Sequence, residues 1–300
     1  MPQPISKAIV PAAGLGTRLL PATKSQPKEM LPVGRKPVLQ HVVEELQAAG
    51  LRQLLIVTGR RKRTIEDHFD SDPELVSALK QAGNEVLLAD LAYIEGQSRL
   101  FYTRQSSPKG VGHAISLGAD FVGDDHCVVA LGDTLIAAED PAAPLRAMME
   151  AHHLLGAAAT VAVELVPPEE AFRYGIVSIV GSEPAPGEPV AMSDIVEKPP
   201  PGTAPSTLAV AARYVFSPAI FEALDRTFPD RQGEVQISDA IRLLIQMEQP
   251  VYAWLLSPDQ RRYDVGNFES YFRTFIDFAL ADERYGYLVR KYIKAKAYEL

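Results

Sequence analysis

The sequence has little of what three common classes of protein require. Its 300 residues include one cysteine, Cys127, which excludes a disulfide framework and a thiolate metal cluster. The formal net charge is -8, so the chain lacks the basic surface that binds nucleic acid regardless of base sequence. The longest apolar run, LLGAAATVAV, is about half of a membrane span. The N-terminal MPQPISKAIV also lacks the features of a signal peptide. We therefore expect a soluble, cytoplasmic protein with no nucleic-acid or membrane partner.

The few residues of metal-binding type are expected to be structural. Cys127 lies in CVVAL, a pattern typical of a buried strand, and we expect an inert, buried thiol. His152 and His153 lie on a predicted helix and lack the spacing of a metal site, so we expect them at the surface.

Strands and helices alternate through the first half of the chain. KAIVPA predicts a buried strand, VLQHVVEELQAAG a helix that ends at Gly50, and RQLLIVTG the next strand. A helix near RKRTIEDHF, a strand at RLFYTRQ, a helix over VGHAISLGADF and a strand at HCVVALGD continue the series. This alternation predicts an α/β fold with a mostly parallel sheet that has helices on both faces.

The second half of the chain has a different pattern. The strand-like runs ATVAVELV, GIVSIV and TLAVAARYVF are separated by proline-rich turns, which predicts an extension of the sheet that holds a second substrate. The final stretch, FESYFRTFIDFALADERYGYLVRKYIKAKAYEL, predicts two C-terminal helices. We expect one domain over 1–260, with parts at about 1–140 and 155–260, followed by a helical segment over 261–300. Aromatic residues of this segment predict a subunit contact in a homo-oligomer; they are Tyr271, Phe272, Phe275 and Phe278.

The glycine-rich loop after the first predicted strand indicates an anion-binding site. PAAGLGTRLLPATKSQPKEMLPV combines Gly14 and Gly16 with the cations Arg18, Lys24 and Lys28. Ligands of open parallel sheets bind beyond the carboxyl ends of the strands, and glycine lets backbone amides approach phosphate oxygens. The loop lacks the third glycine of the dinucleotide fingerprint and the closing Lys-Ser/Thr of a P-loop. A glycine turn that only connects strand to helix stays open as the alternative.

Four stretches of the chain, in this order, resemble one enzyme family. AGLGTRLLPATKSQPKEMLPV, RQSSPKGVGHAI, VEKP and GEVQISDAI are similar to motifs of the bacterial UTP:glucose-1-phosphate uridylyltransferases, within the sugar-1-phosphate nucleotidyltransferase family. The similarity runs from Lys7 to about Tyr271. It implies a Rossmann-like core, with a mixed, mostly parallel sheet flanked by helices, that joins UTP and glucose 1-phosphate with release of pyrophosphate. The part at about 1–140 would then bind the nucleotide and the part at about 155–260 the sugar.

The resemblance also implies roles for residues on the nucleotide side. The residues expected around the base and phosphates are Ala12, Ala13, Gly14 and Gly16, and those expected to meet uracil and ribose are Gln105, Gly110 and Gly112. Arg18 and Lys28 would contact the triphosphate. A side-chain amide suits a pyrimidine edge because it offers both a donor and an acceptor, although Gln105 taken alone would be a solvated strand end.

Two aspartates are the candidate metal ligands. Asp133, in ALGDTL, ends an apolar strand where a carboxylate can hold Mg²⁺, and Asp264, in RRYDVGN, is the matching candidate on the other side of the ion. An aspartate that caps a turn is the alternative for both. The family often has Pro-Asp in place of Gly132-Asp133, a second acidic residue at Thr134 and, in some members, a lysine at Phe268.

On the sugar side, the resemblance implies that Glu197 accepts hydrogen bonds from sugar hydroxyls, that Lys198 holds the attacking phosphate, and that Gly175 approaches the sugar. Lys198 completes a predicted catalytic set with Arg18, Lys28 and Asp133. The attacking phosphate oxygen is already ionised, so one in-line displacement needs only positioning and well-placed cations.

Two other functions stay open. One is a thymidylyl- or guanylyltransferase of the same fold, although Glu29 stands where the dTTP enzymes tend to have glutamine. The other is a catalytically silent binding or regulatory paralogue, which would have no chemical reason to keep the predicted catalytic set.

Overall fold

The computed structural model describes residues 4–91, 93 and 98–297. Its strands are β1 (Lys7–Pro11), β2 (Pro32–Val33), β3 (Lys36–Pro37), β4 (Gln53–Thr58), β5 (Arg99–Arg104), β6 (Cys127–Ala130), β7 (Thr134–Ala137), β8 (Ala159–Leu165), β9 (Gly175–Ile179), β10 (Pro189–Glu197), β11 (Leu208–Phe216), β12 (Val251–Leu255) and β13 (Arg261–Asp264). Its helices are α1 (Val38–Ala48), α2 (Arg63–Phe69), α3 (Pro73–Gln81), α4 (Glu85–Asp90), α5 (Gly110–Ser116), α6 (Ala119–Val122), α7 (Ala143–Leu154), α8 (Ala219–Asp225), α9 (Ile237–Gln246), α10 (Phe268–Ala281) and α11 (Gly286–Lys296).

The main sheet has nine strands in the order β5-β4-β1-β6-β11-β8-β12-β10-β9. The first four pair in parallel, as do β8 and β12. β11 and β10 run antiparallel to their neighbours and join these groups into one sheet. The predicted α/β class, with a mixed sheet flanked by helices, a sheet extension and C-terminal helices, is confirmed; β10 and β11 run against the direction of the other strands of this sheet.

Apolar side chains cover both faces of the sheet. Along β1, Ala8 and Val10 belong to the cluster that contains Val42 of α1, whereas Ile9 belongs to the cluster that contains Ile115 of α5. Successive side chains of a strand point to opposite faces, so β1 is buried on both sides. The loop that follows the carboxyl end of β1 is therefore anchored by a strand that is held on both faces.

The predicted single helix over VGHAISLGADF is wrong, because the chain divides it into α5 and α6. A Cβ at Gly118 would lie 2.4 Å from Ile9 Cδ1. Because glycine has no Cβ, the backbone at this break can approach the sheet more closely than it could with another residue at position 118.

The expectation that His152 lies at the surface is also wrong. His152 is fully buried at the end of α7, with its Nε2 atom 2.8 Å from His126 Nδ1 and its Nδ1 atom 3.0 Å from Thr160 Oγ1. Burial and the neighbouring histidines lower the pKa of His152 to about 3. The expectation for Cys127 is confirmed, since the thiol is buried and burial raises its pKa to about 12.

The two C-terminal helices form as predicted, and the four aromatic side chains singled out on α10 differ in exposure. Phe272 and Phe275 are exposed, whereas Phe278 packs edge-on against His41 at 5.2 Å between ring centroids. The Tyr271 hydroxyl donates a hydrogen bond to the Pro32 carbonyl at 3.0 Å. The subunit contact stays a prediction. No helix in the described part of the chain is long and apolar enough to cross a membrane.

A separate two-stranded sheet, which we call the β7–β13 ribbon, carries both candidate metal ligands. β7 and β13 pair in antiparallel fashion, with Thr134 opposite Asp264. The Val265 N–H donates a hydrogen bond to the Asp133 carbonyl at 2.9 Å, which extends the pairing by one step. The ribbon thus brings Asp133 and Asp264 together at one end.

Candidate active site

A cleft at the carboxyl ends of the parallel strands contains most of the predicted site residues. It consists of two adjoining cavities of about 380 and 310 Å³. The glycine-rich loop lines the first cavity, which we call the loop cavity, and β9 and β10 line the second, the strand cavity. Arg18, Asp133 and Glu234 line both, so the cavities form one continuous cleft.

The glycine-rich loop is held in three short 3₁₀ turns after β1. Gly16 has a φ of 66°, in the left-handed region that favours glycine, and its carbonyl accepts a hydrogen bond from Thr23 Oγ1 at 2.7 Å. Ala13, Gly14 and Gly16 line the loop cavity. Ala12 is buried behind them, where its N–H donates to the Val57 carbonyl at 2.9 Å.

The three cations of this loop differ in their surroundings. Lys28 is an ion-pair partner of Asp133 and lines the loop cavity. Arg18 is exposed to solvent and lines both cavities of the cleft. Lys24 instead lines a smaller cavity of about 180 Å³ beside the cleft. Two of the three cations are therefore placed to meet an anion in the cleft.

A buried ion pair anchors the loop beneath Lys28. Both carboxylate oxygens of Glu29 accept hydrogen bonds from Lys62 Nζ, at 2.8 and 2.7 Å, and both side chains are buried. Burial raises the pKa of Glu29 and lowers that of Lys62, and each charge opposes the effect on the other. Because Lys62 directly precedes α2, the pair ties the turn at residues 28–30 to that helix.

The pKa values of the two aspartates at the end of the β7–β13 ribbon shift in opposite directions. Burial alone would raise the pKa of Asp133, but the Lys28 ammonium holds it below its ordinary value. Burial and the charge of Asp133 raise the pKa of Asp264, although nearby cations such as Lys28 partly compensate. The pair therefore concentrates negative charge that a cation bound between the two carboxylates would stabilise.

A buried arginine supports the ribbon from below. Arg213 donates to both oxygens of Glu45, at 2.8 and 2.7 Å, and to the Thr134 carbonyl at 3.0 Å. Its side chain is 2% exposed. Since Thr134 follows Asp133, these bonds fix the backbone that presents the Asp133 carboxylate. Thr134 is itself buried, and its hydroxyl donates a hydrogen bond to Asp133 Oδ1 at 3.4 Å where the family often has a second acidic residue.

Gln105 is buried at the end of β5, so the solvated strand end proposed as its alternative is wrong. Its Nε2 group donates to the Gly110 carbonyl at 3.0 Å and lies 2.9 Å from His113 Nδ1. Within the described residues, Oε1 has no hydrogen-bond partner. The fixed amide therefore leaves an acceptor available in the loop cavity.

Gly110 and Gly112 have a packing role that the motif did not reveal. A Cβ at Gly110 would lie 2.6 Å from the Val235 carbonyl oxygen, and one at Gly112 would lie 2.7 Å from the same atom. The Gly112 N–H donates to this carbonyl at 2.9 Å. Gly110 lines the loop cavity, whereas Gly112 is buried behind it. Both glycines are needed for the close approach of α5 to the segment before α9.

The predicted sugar-side residues meet at the paired ends of β9 and β10. Gly175 is opposite Glu197, and a Cβ at Gly175 would lie 3.1 Å from Glu197 Oε2. The same oxygen accepts a hydrogen bond from Ser238 Oγ at 3.1 Å, and Oε1 lies 3.2 Å from Lys198 Nζ. Lys198 has a φ of 43°, which is rare for a residue with a side chain, and its N–H donates to the Tyr174 carbonyl at 3.0 Å. Such strain is typical of functional positions.

Several residues of the cleft were not predicted. Ser238, which orients Glu197, lies within the recognised motif GEVQISDAI, as do Glu234 and Gln236 of the cavity walls. Arg262 lines the strand cavity, and its place two residues before Asp264 was the available signal. Phe268 packs against the core at the start of α10 and does not line either cavity of the cleft.

Comparisons with known proteins identify the family of this chain. Residues 7–279 match the family model described as Nucleotidyl transferase. The UTP–glucose-1-phosphate uridylyltransferase of Bacillus subtilis is 43% identical over 279 residues, which cover 93% of this chain and 92% of the relative. The relative of that name numbered 1 in Staphylococcus saprophyticus is 43% identical over 291 residues, covering 97% and 98%.

Among solved structures, a UTP-bound UGPase from Acinetobacter baumannii has a TM-score of 0.88 at 36% identity and covers 96% of this chain and 98% of its own. The resemblance carried by the sequence motifs and the enzyme class are thereby confirmed. The chain belongs to the nucleotidyl transferase family, in the group of UTP–glucose-1-phosphate uridylyltransferases, and is a nucleotidyltransferase.

Proposed function

We propose that the protein transfers the uridylyl group of UTP to glucose 1-phosphate and releases UDP-glucose and pyrophosphate. The observation that carries this proposal is the continuous cleft, in which the glycine-rich loop with Lys28 opens past Asp133 onto Glu197 and Lys198. The names of the relatives and the UTP bound to a similar structure support these substrates.

UTP would occupy the loop cavity. The backbone at Ala13, Gly14 and Gly16 lies against the proposed base and phosphates, and Gln105 offers its free Oε1 to the N3–H of uracil. A cytosine, which has no N–H at that position, would place two acceptors face to face. The fixed amide thus favours uracil or thymine over cytosine.

Glucose 1-phosphate would occupy the strand cavity. Glu197, oriented by Ser238, can accept hydrogen bonds from sugar hydroxyls, and the missing side chain at Gly175 leaves its backbone open to the sugar. The Lys198 side chain is 63% exposed and can move from Glu197 to the phosphate group of the sugar. The strained backbone at Lys198 aims this side chain at the cleft.

Mg²⁺ fits the carboxylates of the β7–β13 ribbon. Magnesium is commonly held by one or two carboxylates, with substrate phosphates and water completing its coordination. Asp133 and Asp264 supply two carboxylates, and no cluster of three or more His, Cys, Asp or Glu that could hold a metal occurs in the described part of the chain. Bound Mg²⁺ would neutralise charge on the reacting phosphates.

The chain's own residues would then act by position and charge. Lys198 holds the sugar phosphate so that one of its ionised oxygens faces the α-phosphorus of UTP. The new P–O bond forms as the bond from the α-phosphorus to the β-phosphate oxygen breaks, and pyrophosphate leaves with that electron pair. Arg18 and Lys28 stabilise its negative charge. Burial tends to lower the pKa of Lys28, but Asp133, Glu29 and Asp264 together raise it above the ordinary value, so Lys28 stays cationic throughout.

We also propose the division of the chain that these substrates imply. The part at about 1–140 binds the nucleotide, that at about 155–260 binds the sugar, and the segment at 261–300 contacts a second subunit through the exposed Phe272 and Phe275. The proposed substrates support a cytoplasmic location.

The test is pyrophosphate release with Mg²⁺ and UTP, dTTP, GTP or CTP, each combined with glucose, galactose or mannose 1-phosphate. We expect kcat/KM to be highest for UTP with glucose 1-phosphate, and CTP to be excluded. A preference for dTTP or GTP would establish the alternative nucleotidyltransferase. No release with any pair would contradict the proposal and favour a silent paralogue.

A further inference from the structure

Arg262 is a buried cation that the proposed reaction has not used. Its side chain is 9% exposed, and its guanidinium carbon lies 4.2 Å from the centroid of the Tyr174 ring. Nε donates to Glu164 Oε1 at 2.5 Å. The ring and the carboxylate together fix the plane of the guanidinium, so little side-chain freedom remains to be lost on binding.

The two Nη groups of Arg262, unlike its Nε group, have no partner in the described part of the chain that accounts for their position. Neither has a hydrogen-bond acceptor within the described residues. Arginine carries five N–H donors, of which four are on the Nη atoms, and both Nη atoms of Arg262 are accessible to solvent. Arg262 lines the strand cavity, so these donors can be satisfied there by an oxygen-rich ligand.

The position of Arg262 favours the sugar over the nucleotide. It lines the same cavity as Glu197 and Gly175 and does not line the loop cavity. Arg262 and Asp264 are two positions apart on β13, so both side chains lie on the same face of the ribbon. Their Cα atoms are separated by about 7 Å along the strand. Arg262 therefore lies two residues along the strand from the proposed metal ligand Asp264.

The charge of Arg262 favours hydroxyl groups over a phosphate. Glu164 already neutralises the guanidinium, and Asp264 lies on the same face, which leaves directional donors with little excess positive charge. Arg18, by contrast, forms no ion pair within the described residues and can supply charge to a phosphate in the same cavity. Hydroxyl oxygens of a sugar are suitable acceptors for fixed N–H donors.

We propose that Arg262 is a specificity-determining residue that donates its Nη groups to hydroxyl groups of the sugar 1-phosphate. This inference rests on the proposed function. Tyr174 contributes in two ways: its ring holds the guanidinium, and its carbonyl accepts the hydrogen bond from the Lys198 N–H. One residue thereby sets the spacing between the donors for the sugar hydroxyls and the lysine for the sugar phosphate.

The experiment is a double-mutant cycle between protein and substrate. Arg262→Lys and the parent are assayed with glucose 1-phosphate and with its 2-, 3-, 4- and 6-deoxy derivatives. In the parent, loss of a hydroxyl that Arg262 binds should raise KM about 10- to 100-fold, the range for a hydrogen bond to a charged group. In Arg262→Lys, the penalty for that derivative should shrink to about 3-fold or less, while KM for UTP stays within about 2-fold.

Arg261→Lys is the matched control. Arg261 is the preceding residue of β13, its side chain is 64% exposed, and it pairs with Asp277 outside the strand cavity. This variant should keep every deoxy-sugar penalty of the parent. If Arg262→Lys does not fold, the cycle is run on Glu164→Gln, in which Arg262 is intact but loses its anchor, and the same penalty should shrink.

The outcomes separate the two proposals. Deoxy-sugar penalties that persist at full size would overturn the role of Arg262, as would equal increases in KM for UTP and glucose 1-phosphate. An equal rise in KM for all five sugar phosphates would place Arg262 on the phosphate and also overturn it. Failure of the proposed function would look different, because the parent would not use glucose 1-phosphate at all.

Discussion

Adding a methyl group at Gly14, by the substitution Gly14→Ala, tests whether the glycine-rich loop binds the nucleotide or only connects β1 to the following elements. Gly14 does not have a left-handed backbone, and a Cβ there would lie 3.6 Å from Lys28 Cε and 3.8 Å from Lys28 Nζ, which are ordinary contact distances. Alanine can therefore be accommodated by the folded chain. Because alanine also restricts the unfolded chain, the free energy of unfolding should stay the same or rise by about 0.4–1 kcal/mol.

Binding of UTP should respond in the opposite way. Gly14 lines the loop cavity, so the added methyl would occupy space that we assign to the nucleotide. Overfilling a packed site costs about 1–3 kcal/mol, which corresponds to a Kd for UTP raised about 5- to 150-fold. The prediction is a variant that is as stable as the parent but binds UTP weakly.

The assay pairs thermal unfolding with calorimetric titration of UTP into Gly14→Ala, and Gly16→Ala is the control. Gly16 has a φ of 66°, and a Cβ there would lie 3.3 Å from Thr23 Cγ2, so this variant should lose about 1–2 kcal/mol of stability. If Gly14→Ala binds UTP with the affinity of the parent, the loop is only a connection and the nucleotide lies elsewhere.

Three further changes probe the rest of the cleft. Asp264→Asn should abolish turnover yet stabilise the fold at pH 7, because burial and Asp133 raise the pKa of Asp264 and its charged form is therefore unfavourable in the folded state. Below the unfolded pKa that penalty is absent, so the stability gain in thermal unfolding should shrink as the pH falls towards about 4; a constant gain would refute the electrostatic cause. Lys198→Ala should lower kcat/KM for glucose 1-phosphate about a hundredfold with the Kd for UTP nearly unchanged, and an equal loss of both would move Lys198 to the nucleotide. Glu45→Gln should lower the free energy of unfolding in urea by about 3–5 kcal/mol because Arg213 stays buried without its carboxylate, whereas a loss below about 1 kcal/mol would show that the ribbon has other support.

The first half of the fold could be predicted from the sequence because its signals are local. β1, α1 and β4 each have their own apolar periodicity, and only the glycine-rich loop and the short strands β2 and β3 come between β1 and α1, so a parallel pair with a connecting helix is the natural arrangement. The split between α5 and α6 escaped prediction, because the contact of Gly118 with Ile9 depends on two segments that are distant in sequence.

In the candidate site, too, local motifs could be predicted and contacts between distant segments could not. The glycine-rich loop and VEKP were recognisable as contiguous motifs, and the structure places them in one cleft. The support of the site was not recognisable: Arg213 and Glu45 are separated by 168 positions and nothing in their neighbourhoods indicates a pair. The prediction that His152 lies at the surface was wrong for a related reason, since helical periodicity cannot reveal that His126 and Thr160 offer it hydrogen-bond partners.

The β7–β13 ribbon has a consequence for how the enzyme is made. Its two carboxylates are 131 positions apart (264 − 133), and they meet only when two four-residue strands pair. During synthesis, the glycine-rich loop and β1 leave the ribosome long before β13 does. The pair Asp133–Asp264 therefore cannot assemble until nearly nine-tenths of the chain has been translated, and a contact between such distant segments closes late because of its loop entropy. A nascent chain shorter than this has the glycine-rich loop but not Asp264, so the proposed metal site can form only after β13 has been synthesised.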